Sequence, residues 1–136
     1  MAKKYPGIKI LDKRTAKWQR TEGNDLMTNW ISSGMKFEAV VSNNDEMAIG
    51  AIQSLKAAGK MKKDTIVAGI DATRDALASM KAGELKVTVF QDAYGQGGGG
   101  IEAAVKMARG EKVPANVWIP FELVTPANVD KYLSKN

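Results

Sequence analysis

Short apolar runs alternate with amphipathic stretches through the middle of the chain. Residues 37–42 and 65–70 are nearly continuous runs rich in β-branched side chains, and each run stops at polar residues. Between them, residues 45–58 carry apolar side chains at helical spacing. Apolar runs separated by an amphipathic helix indicate a βαβ unit, with parallel strands that are buried on both faces.

The same patterns predict the other elements. Before the βαβ unit they predict a short strand at residues 8–11, then a helix that follows residues 19–23 and buries Trp30. After it they predict a helix at 73–82, a strand at 86–91, a glycine-rich helix at 95–110, an extended segment at 117–124 and a terminal turn and helix at 125–136. Because Pro120 has no N–H group for a central ladder, the extended segment is predicted to be an edge strand or a crossing segment.

This order of elements predicts an α/β fold with a flavodoxin-like parallel sheet, about four or five strands wide, and helices on both faces. A chain of 136 residues with 44% apolar content suits one domain over residues 1–136. In open sheets of this kind, ligands bind beyond the carboxyl ends of the strands. The residues that follow the predicted strands are therefore the candidate site.

The composition removes several kinds of active site. The chain has no cysteine and no histidine, so it cannot form a disulfide, a thiolate metal site, or a Ser-His-Asp or Cys-His centre. The net charge is +5, but the lysines are dispersed and are not interleaved with aromatic residues. This pattern favours a solvated basic surface over a nucleic-acid interface. Residues 1–6 lack the apolar core of a signal peptide.

A glycine-rich motif at residues 95–100 fits the G-x-G-x-x-G fingerprint of dinucleotide-binding proteins. Two features oppose that interpretation. The carboxylate of Asp92 would repel a pyrophosphate, and Glu122, the acid at the expected spacing, lies in a proline-containing segment. We interpret the glycines as the closely packed start of a helix, and we predict no cofactor.

Four side chains stand at or just past successive strand ends: Trp18, Asn44, Asp71 and Gln91. They comprise a flat apolar face, two amides and a carboxylate, and this set fits a polyhydroxylated ring. Simpler roles remain open at this point. Asn44 and Asp71 can each cap the helix that follows, and Trp18 can cover the core, which general frequency favours.

The chain resembles the periplasmic sugar-binding proteins of ABC importers, the group that includes the ribose- and galactose-binding proteins. The resemblance is specific at residues 42–48 (SNNDEMA), residues 69–73 (GIDAT) and residues 89–91 (VFQ). Within the group the chain is most similar to binders of inositol or of inositol-derived compounds such as rhizopine. The resemblance implies that Asn44, Asp71 and Gln91 contact the ligand and that Trp18 stacks on it.

The resemblance covers only the second of the two lobes that such proteins have. An arginine that the missing part normally contributes to the sugar cannot be assigned. Residues 92–120 would cross to the missing lobe, with hinges at Asp92, Ala93, Pro120 and Phe121. The helix at 95–110 would then lack its usual packing partner and would fold onto its own lobe, pack against another copy, or fray.

These observations predict a partial sugar- or polyol-binding module that is not an enzyme. The intact relative would lie in the periplasm and present its closed form to a membrane permease. One rival is the effector-binding core of a LacI-type transcription repressor, which shares the fold. Another is a phosphoacceptor receiver domain, but residues 8–11 are followed by Asp12 alone, and Gln91 stands where a lysine is required.

Overall fold

The computed structural model describes residues 4–135, so part of the segment considered as a signal peptide lies outside it. The elements are α1 (Arg20–Ser32), β1 (Ala39–Val41), α2 (Asp45–Ala57), β2 (Ile66–Ala68), α3 (Arg74–Lys81), β3 (Thr88–Phe90), α4 (Ala93–Ala108), β4 (Glu122–Val124) and a terminal 3₁₀ helix (Val129–Tyr132). From α1 onward the predicted order of elements is confirmed. Each strand is shorter than the run that predicted it.

The strands lie in the order β1-β2-β3-β4. β1 and β2 are parallel, with Val40 opposite Val67. A parallel bridge between Ala68 and Val87 continues the sheet to β3, and β4 runs antiparallel along β3. The α/β fold class is confirmed. The expected four or five parallel strands are wrong for the described residues, which form three parallel strands and one antiparallel strand.

The direction of β4 follows from how α4 is placed. A parallel connection needs a crossover element that packs on the sheet, but none of the sixteen described residues of α4 is buried. The chain instead returns beside β3 in the opposite direction. The prediction of an edge strand near Pro120 is therefore confirmed for β4.

The prediction of a strand at residues 8–11 is wrong. The described segment forms no ladder with any other described residues. Ile10 remains 70% exposed and Leu11 55% exposed. Pairing would therefore order the backbone without the burial that offsets the lost entropy.

The core joins both helical layers to the sheet. It contains Met27 of α1, Leu55 of α2, Val67 of β2, Leu77 of α3 and Tyr132 of the terminal helix, each at most 2% exposed. Burying each of these side chains contributes about 1.5–3 kcal/mol. This core positions the carboxyl ends of β2 and β3.

Trp30 of α1 packs against the core but stays partly exposed. Its indole N–H donates a hydrogen bond to Asp12 Oδ2 at 2.9 Å. The prediction that Trp30 is a core residue is therefore confirmed in its packing, and the polar tip of the indole has a partner of its own.

Two glycines allow α1 and α2 to approach closely. A Cβ on Gly23 would lie 2.6 Å from the carbonyl oxygen of Met47. A Cβ on Gly50 would lie 2.8 Å from the amide nitrogen of Asn24 and would also clash with the carbonyl oxygen of Arg20. Only glycine fits at both positions, because the obstructing atoms are backbone.

α4 begins two residues earlier than predicted. Asp92 caps it, with Oδ1 accepting from the Gly95 N–H at 2.9 Å. Ile101 and Met107 are more than 60% exposed, so the apolar face of α4 is open. No helix within residues 4–135 is both long and apolar enough to span a membrane.

Candidate functional site

Asp71 and Gln91 meet where β2 and β3 end. Gln91 Nε2 donates a hydrogen bond to Asp71 Oδ1. The backbone N–H of Asp71 donates to the Val89 carbonyl oxygen at 2.9 Å, which ties the two strand ends together. Both side chains line a pocket of about 510 Å³, with Thr73, Phe90, Asp92, Ala93 and Gln96. The pocket therefore presents a carboxylate and amide groups beside the ring of Phe90.

Asn44 and Trp18 form a second pair at the same edge. Asn44 Nδ2 donates to the backbone carbonyl oxygen of Trp18 at 3.1 Å, and Asn44 Oδ1 accepts from the Met47 N–H at 3.0 Å. Among the described residues that line the pocket at Asp71, neither Asn44 nor Trp18 occurs. The structure thus brings the four predicted residues together as two pairs.

The structure distinguishes between the simpler roles considered for Asn44, Asp71 and Trp18. Capping is confirmed for Asn44, which is the N-cap of α2. Capping by Asp71 is wrong, because Thr73 caps α3, with its hydroxyl accepting from the Ala76 N–H at 3.3 Å. Covering of the core by Trp18 is also wrong, since Trp18 is 64% exposed and lies outside the core. Asp71 therefore does not cap the helix that follows it, and Trp18 does not cover the core.

Asp71 and Trp18 also have unusual backbone conformations. Asp71 has φ 118°, and Ala72, the residue after it, has φ 55°. Trp18 has φ 66°. Positive φ is uncommon for residues other than glycine, and it clusters where function constrains the chain. Two candidate site residues therefore lie in segments with this uncommon conformation, Asp71 after β2 and Trp18 just before α1.

The predicted hinge residues flank α4 and β4. Asp92, with φ 48°, and Ala93 join β3 to α4, while Pro120 and Phe121 lead directly into β4. Asp92 and Ala93 also line the pocket. The glycine-rich motif lies inside α4 itself, and Asp92 accepts a hydrogen bond from the Gly95 N–H, so these residues form no open loop around a phosphate.

Asp45 is a buried carboxylate that the sequence interpretation missed. It is 0% exposed and accepts hydrogen bonds from Thr88 Oγ1 at 2.7 Å and from the Thr73 N–H at 2.9 Å. Burial raises the pKa of Asp45 to about 6, against the lowering effect of these hydrogen bonds, and the nearby charge of Asp71 adds to the rise. In sequence, Asp45 is only an acid in the first turn of a helix. Its partner Thr88 lies 43 residues away.

Burial also raises the pKa of Asp71. Hydrogen bonds from the Gln91 side chain and from the backbone N–H of Asp45 oppose that rise, and the charge of Glu46 adds to it. A carboxylate that is partly buried and only partly satisfied is available to accept hydrogen bonds from a ligand. This edge can accept hydrogen bonds from hydroxyl donors.

Arg20 is a second residue that the sequence interpretation missed. Its guanidinium binds Glu46 through two hydrogen bonds of 2.8 and 2.9 Å, and it also binds Asp75 at 2.7 Å. These bonds raise the pKa of Arg20, which stays cationic. The ion pairs join the first turns of α1, α2 and α3. No local pattern signals them, because the partners are 26 and 55 residues away.

A parallel sheet with polar side chains converging beyond its strand ends defines an α/β ligand-binding domain. The family follows from comparison with known proteins. The chain belongs to the periplasmic binding protein domain family, whose model matches residues 1–112. This confirms the resemblance seen in the sequence.

Two individual proteins are similar to the chain in sequence. The chain is 61% identical over 130 residues to a putative rhizopine-binding protein of Rhizobium meliloti, covering 96% of this chain and 42% of that protein. It is 37% identical to the ribose import binding protein of Salmonella typhimurium, over 85% of this chain and 38% of that protein. Both relatives are binding proteins by name.

A solved structure is also similar. It is an ABC transporter solute binding protein from Bacillus halodurans C-125 with bound myo-inositol, at 53% identity and a TM-score of 0.93. The match covers 98% of this chain and 46% of that one. The chain therefore spans less than half the length of these relatives.

Proposed function

We propose that the chain is one lobe of a solute-binding protein and that Trp18, Asn44, Asp71 and Gln91 contact a sugar or polyol. The ligand is of the ribose, galactose or inositol/rhizopine type. The observation that carries this proposal is the Asp71–Gln91 pair at the pocket. A carboxylate held in place by an amide accepts hydrogen bonds from two adjacent hydroxyl groups, and the amide recognises a third.

Trp18 supplies the apolar part of the site. Its indole is exposed, and the hydrogen bond from Asn44 to its carbonyl oxygen fixes the backbone that carries it. A flat aromatic face stacks on the C–H face of a sugar or cyclitol ring. Asn44 uses one N–H and one lone pair within the protein and keeps one of each for a ligand.

The proposed hinge follows from the register of β3 and β4. The last paired residues are Phe90 and Glu122. Continuing the antiparallel register places Gln91 beside Phe121 and Asp92 beside Pro120. Both connections leave the sheet next to each other, as two strands of one hinge. Residues 92–120 then belong to the other lobe, and closure of the lobes buries the ligand.

Uncovered apolar surface supports the view that residues 1–136 are a partial domain. α4 has no buried side chain among its described residues. On the sheet, Val41 is 73% exposed and Ile66 47% exposed. In the intact protein, the other lobe covers α4, and the closed form meets a membrane permease of an ABC importer in the periplasm. In the isolated chain, α4 pairs with a second copy to form a homodimer through residues 95–110.

Half a site binds weakly. If a complete cleft provides about 8 kcal/mol, half of it provides roughly 4 kcal/mol, which corresponds to a millimolar dissociation constant. The test is a tryptophan-fluorescence titration of the purified chain with millimolar myo-inositol, ribose, galactose and glucose. A saturable change that is reduced in Trp18→Phe supports the proposal. The absence of a response to every compound overturns it.

The repressor core remains the alternative function. One relative named above is an import binding protein and the solved structure is an ABC transporter solute binding protein, and none of the three is named as a repressor. The two proposed functions predict different N-terminal segments in the full-length protein. A full-length coding sequence with a signal peptide favours transport, and one with a helix-turn-helix segment before the first lobe favours the repressor.

A further inference from the structure

The loop that carries Asp71 is held by residues that do not line the pocket. The Ala72 N–H donates to Thr88 Oγ1 at 3.1 Å, and the Thr88 hydroxyl donates to Asp45 Oδ1 at 2.7 Å. The other oxygen of Asp45 accepts from the Thr73 N–H at 2.9 Å. A short chain of hydrogen bonds therefore connects α2 and β3 to the two residues that follow Asp71.

This loop needs external support because its backbone is strained. Asp71 and Ala72 both have positive φ, at 118° and 55°. Two consecutive residues of this kind are energetically unfavourable. Such a conformation persists only where surrounding contacts determine it. Asp45 and Thr88 supply side-chain hydrogen bonds to the N–H groups of Thr73 and Ala72, in addition to the backbone bond from Asp71 to Val89.

Asp45 and Thr88, which hold this loop, are buried and closely packed. Asp45 and Thr88 are both 0% exposed. Gly69 lies directly against Asp45, since a Cβ there would clash with its carboxylate. The backbone N–H of Asp45 also bonds the Asp71 carboxylate, so Asp45 touches both the loop and its functional side chain.

We propose that Asp45 and Thr88 are positioning residues, which hold residues 71–73 so that Asp71 is presented to the pocket. This inference rests on the proposed function for the role of Asp71 in ligand binding. The hydrogen bonds that hold the loop do not depend on that function. Asp45 does not contact the ligand. It fixes the geometry of the residue that does, and Thr88 transmits that constraint to Ala72.

The test compares Thr88→Val with Thr88→Ser. Valine has the same shape and suits a strand but lacks the hydroxyl, whereas serine retains it. In Thr88→Val, we expect amide hydrogen exchange at Ala72 to accelerate about tenfold, the effect of losing one hydrogen bond. The affinity for myo-inositol is expected to fall by a similar factor. Thr88→Ser is expected to restore both.

Asp45→Asn is the second variant, because an amide supplies only one of the two accepting oxygens. In this variant, amide hydrogen exchange is expected to accelerate at residues 72–73. Core amides such as those of Leu55 and Val67 should keep their protection. Uniform acceleration over the whole chain, or unchanged exchange at 72–73 in both Asp45→Asn and Thr88→Val, overturns the proposal. If the wild-type chain binds no myo-inositol, the proposed function fails, and amide exchange still decides the positioning role.

Discussion

The side-chain amide of Asn44 donates a hydrogen bond to the backbone carbonyl oxygen of Trp18, 3.1 Å away. The same amide caps α2. One side chain therefore starts the second helix and anchors the exposed indole beside the site. The capping role of Asn44 and its proposed ligand contact are therefore compatible, although the sequence presented them as alternatives.

Replacing Asn44 with alanine is expected to lower the free energy of unfolding by about 1–2 kcal/mol, because a helix cap and a tertiary hydrogen bond are lost together. Urea denaturation measures the change. Asn43→Ala is the matched control, because Asn43 is exposed and adjacent, and its effect should stay within about 0.5 kcal/mol. Equal losses in the two variants would show that the Asn44 contacts carry no special stability.

Replacing two helical glycines with alanine is expected to change stability in opposite directions. Gly50→Ala should destabilise the fold by about 1–3 kcal/mol, because its Cβ meets the backbone of α1. Gly97→Ala should stabilise α4 by about 0.5–1 kcal/mol, because nothing lies within 4 Å of that Cβ and alanine favours a helix. Circular dichroism during thermal unfolding measures both. A tolerated Gly50→Ala would contradict the close packing of α1 on α2.

The stability of the chain should depend on pH through Asp45. Its pKa is raised in the folded state, from 3.8 to about 6, so its contribution is fully present below the unfolded value. That contribution is lost as the pH rises through about 6. The unfolding free energy should therefore fall by about 1 kcal/mol between pH 5 and pH 7.

Asp45→Asn should flatten most of this pH dependence, because the titrating group is removed. Asp25→Asn, an exposed acid on α1, should leave it in place. Denaturation in urea at pH 5, 6 and 7 checks all three proteins. A wild-type stability that rises with pH over this range has the wrong sign for a carboxylate whose pKa is raised by burial.

The sequence predicted the elements that have strong periodicity. The βαβ unit and the edge strand near Pro120 were predicted because buried runs, helical spacing and the missing N–H of proline are local signals. The strand at residues 8–11 failed for a tertiary reason. Its apolar pattern is real, but no other described residues cover or pair with it.

The site was predicted only in part. Strand ends and side-chain chemistry located Asp71 and Gln91, which the structure joins. Asp45 and Arg20 were missed because their roles come from partners at least 26 residues away. Burial of the Asp45 carboxylate comes from tertiary contacts with Thr88 and Thr73, and no spacing rule within a single helix predicts it.

The central claim is that Asp71 and Gln91 together bind a polyol. The most direct measurement is a ¹H–¹⁵N NMR titration with myo-inositol that follows the side-chain amide of Gln91. The account predicts saturable shifts at this amide and at the backbone N–H groups of residues 71–73, with a millimolar dissociation constant. These shifts should be lost in Asp71→Asn and kept in Asp25→Asn. An unchanged Gln91 amide at saturating ligand, or equal shifts in Asp71→Asn, would contradict the account.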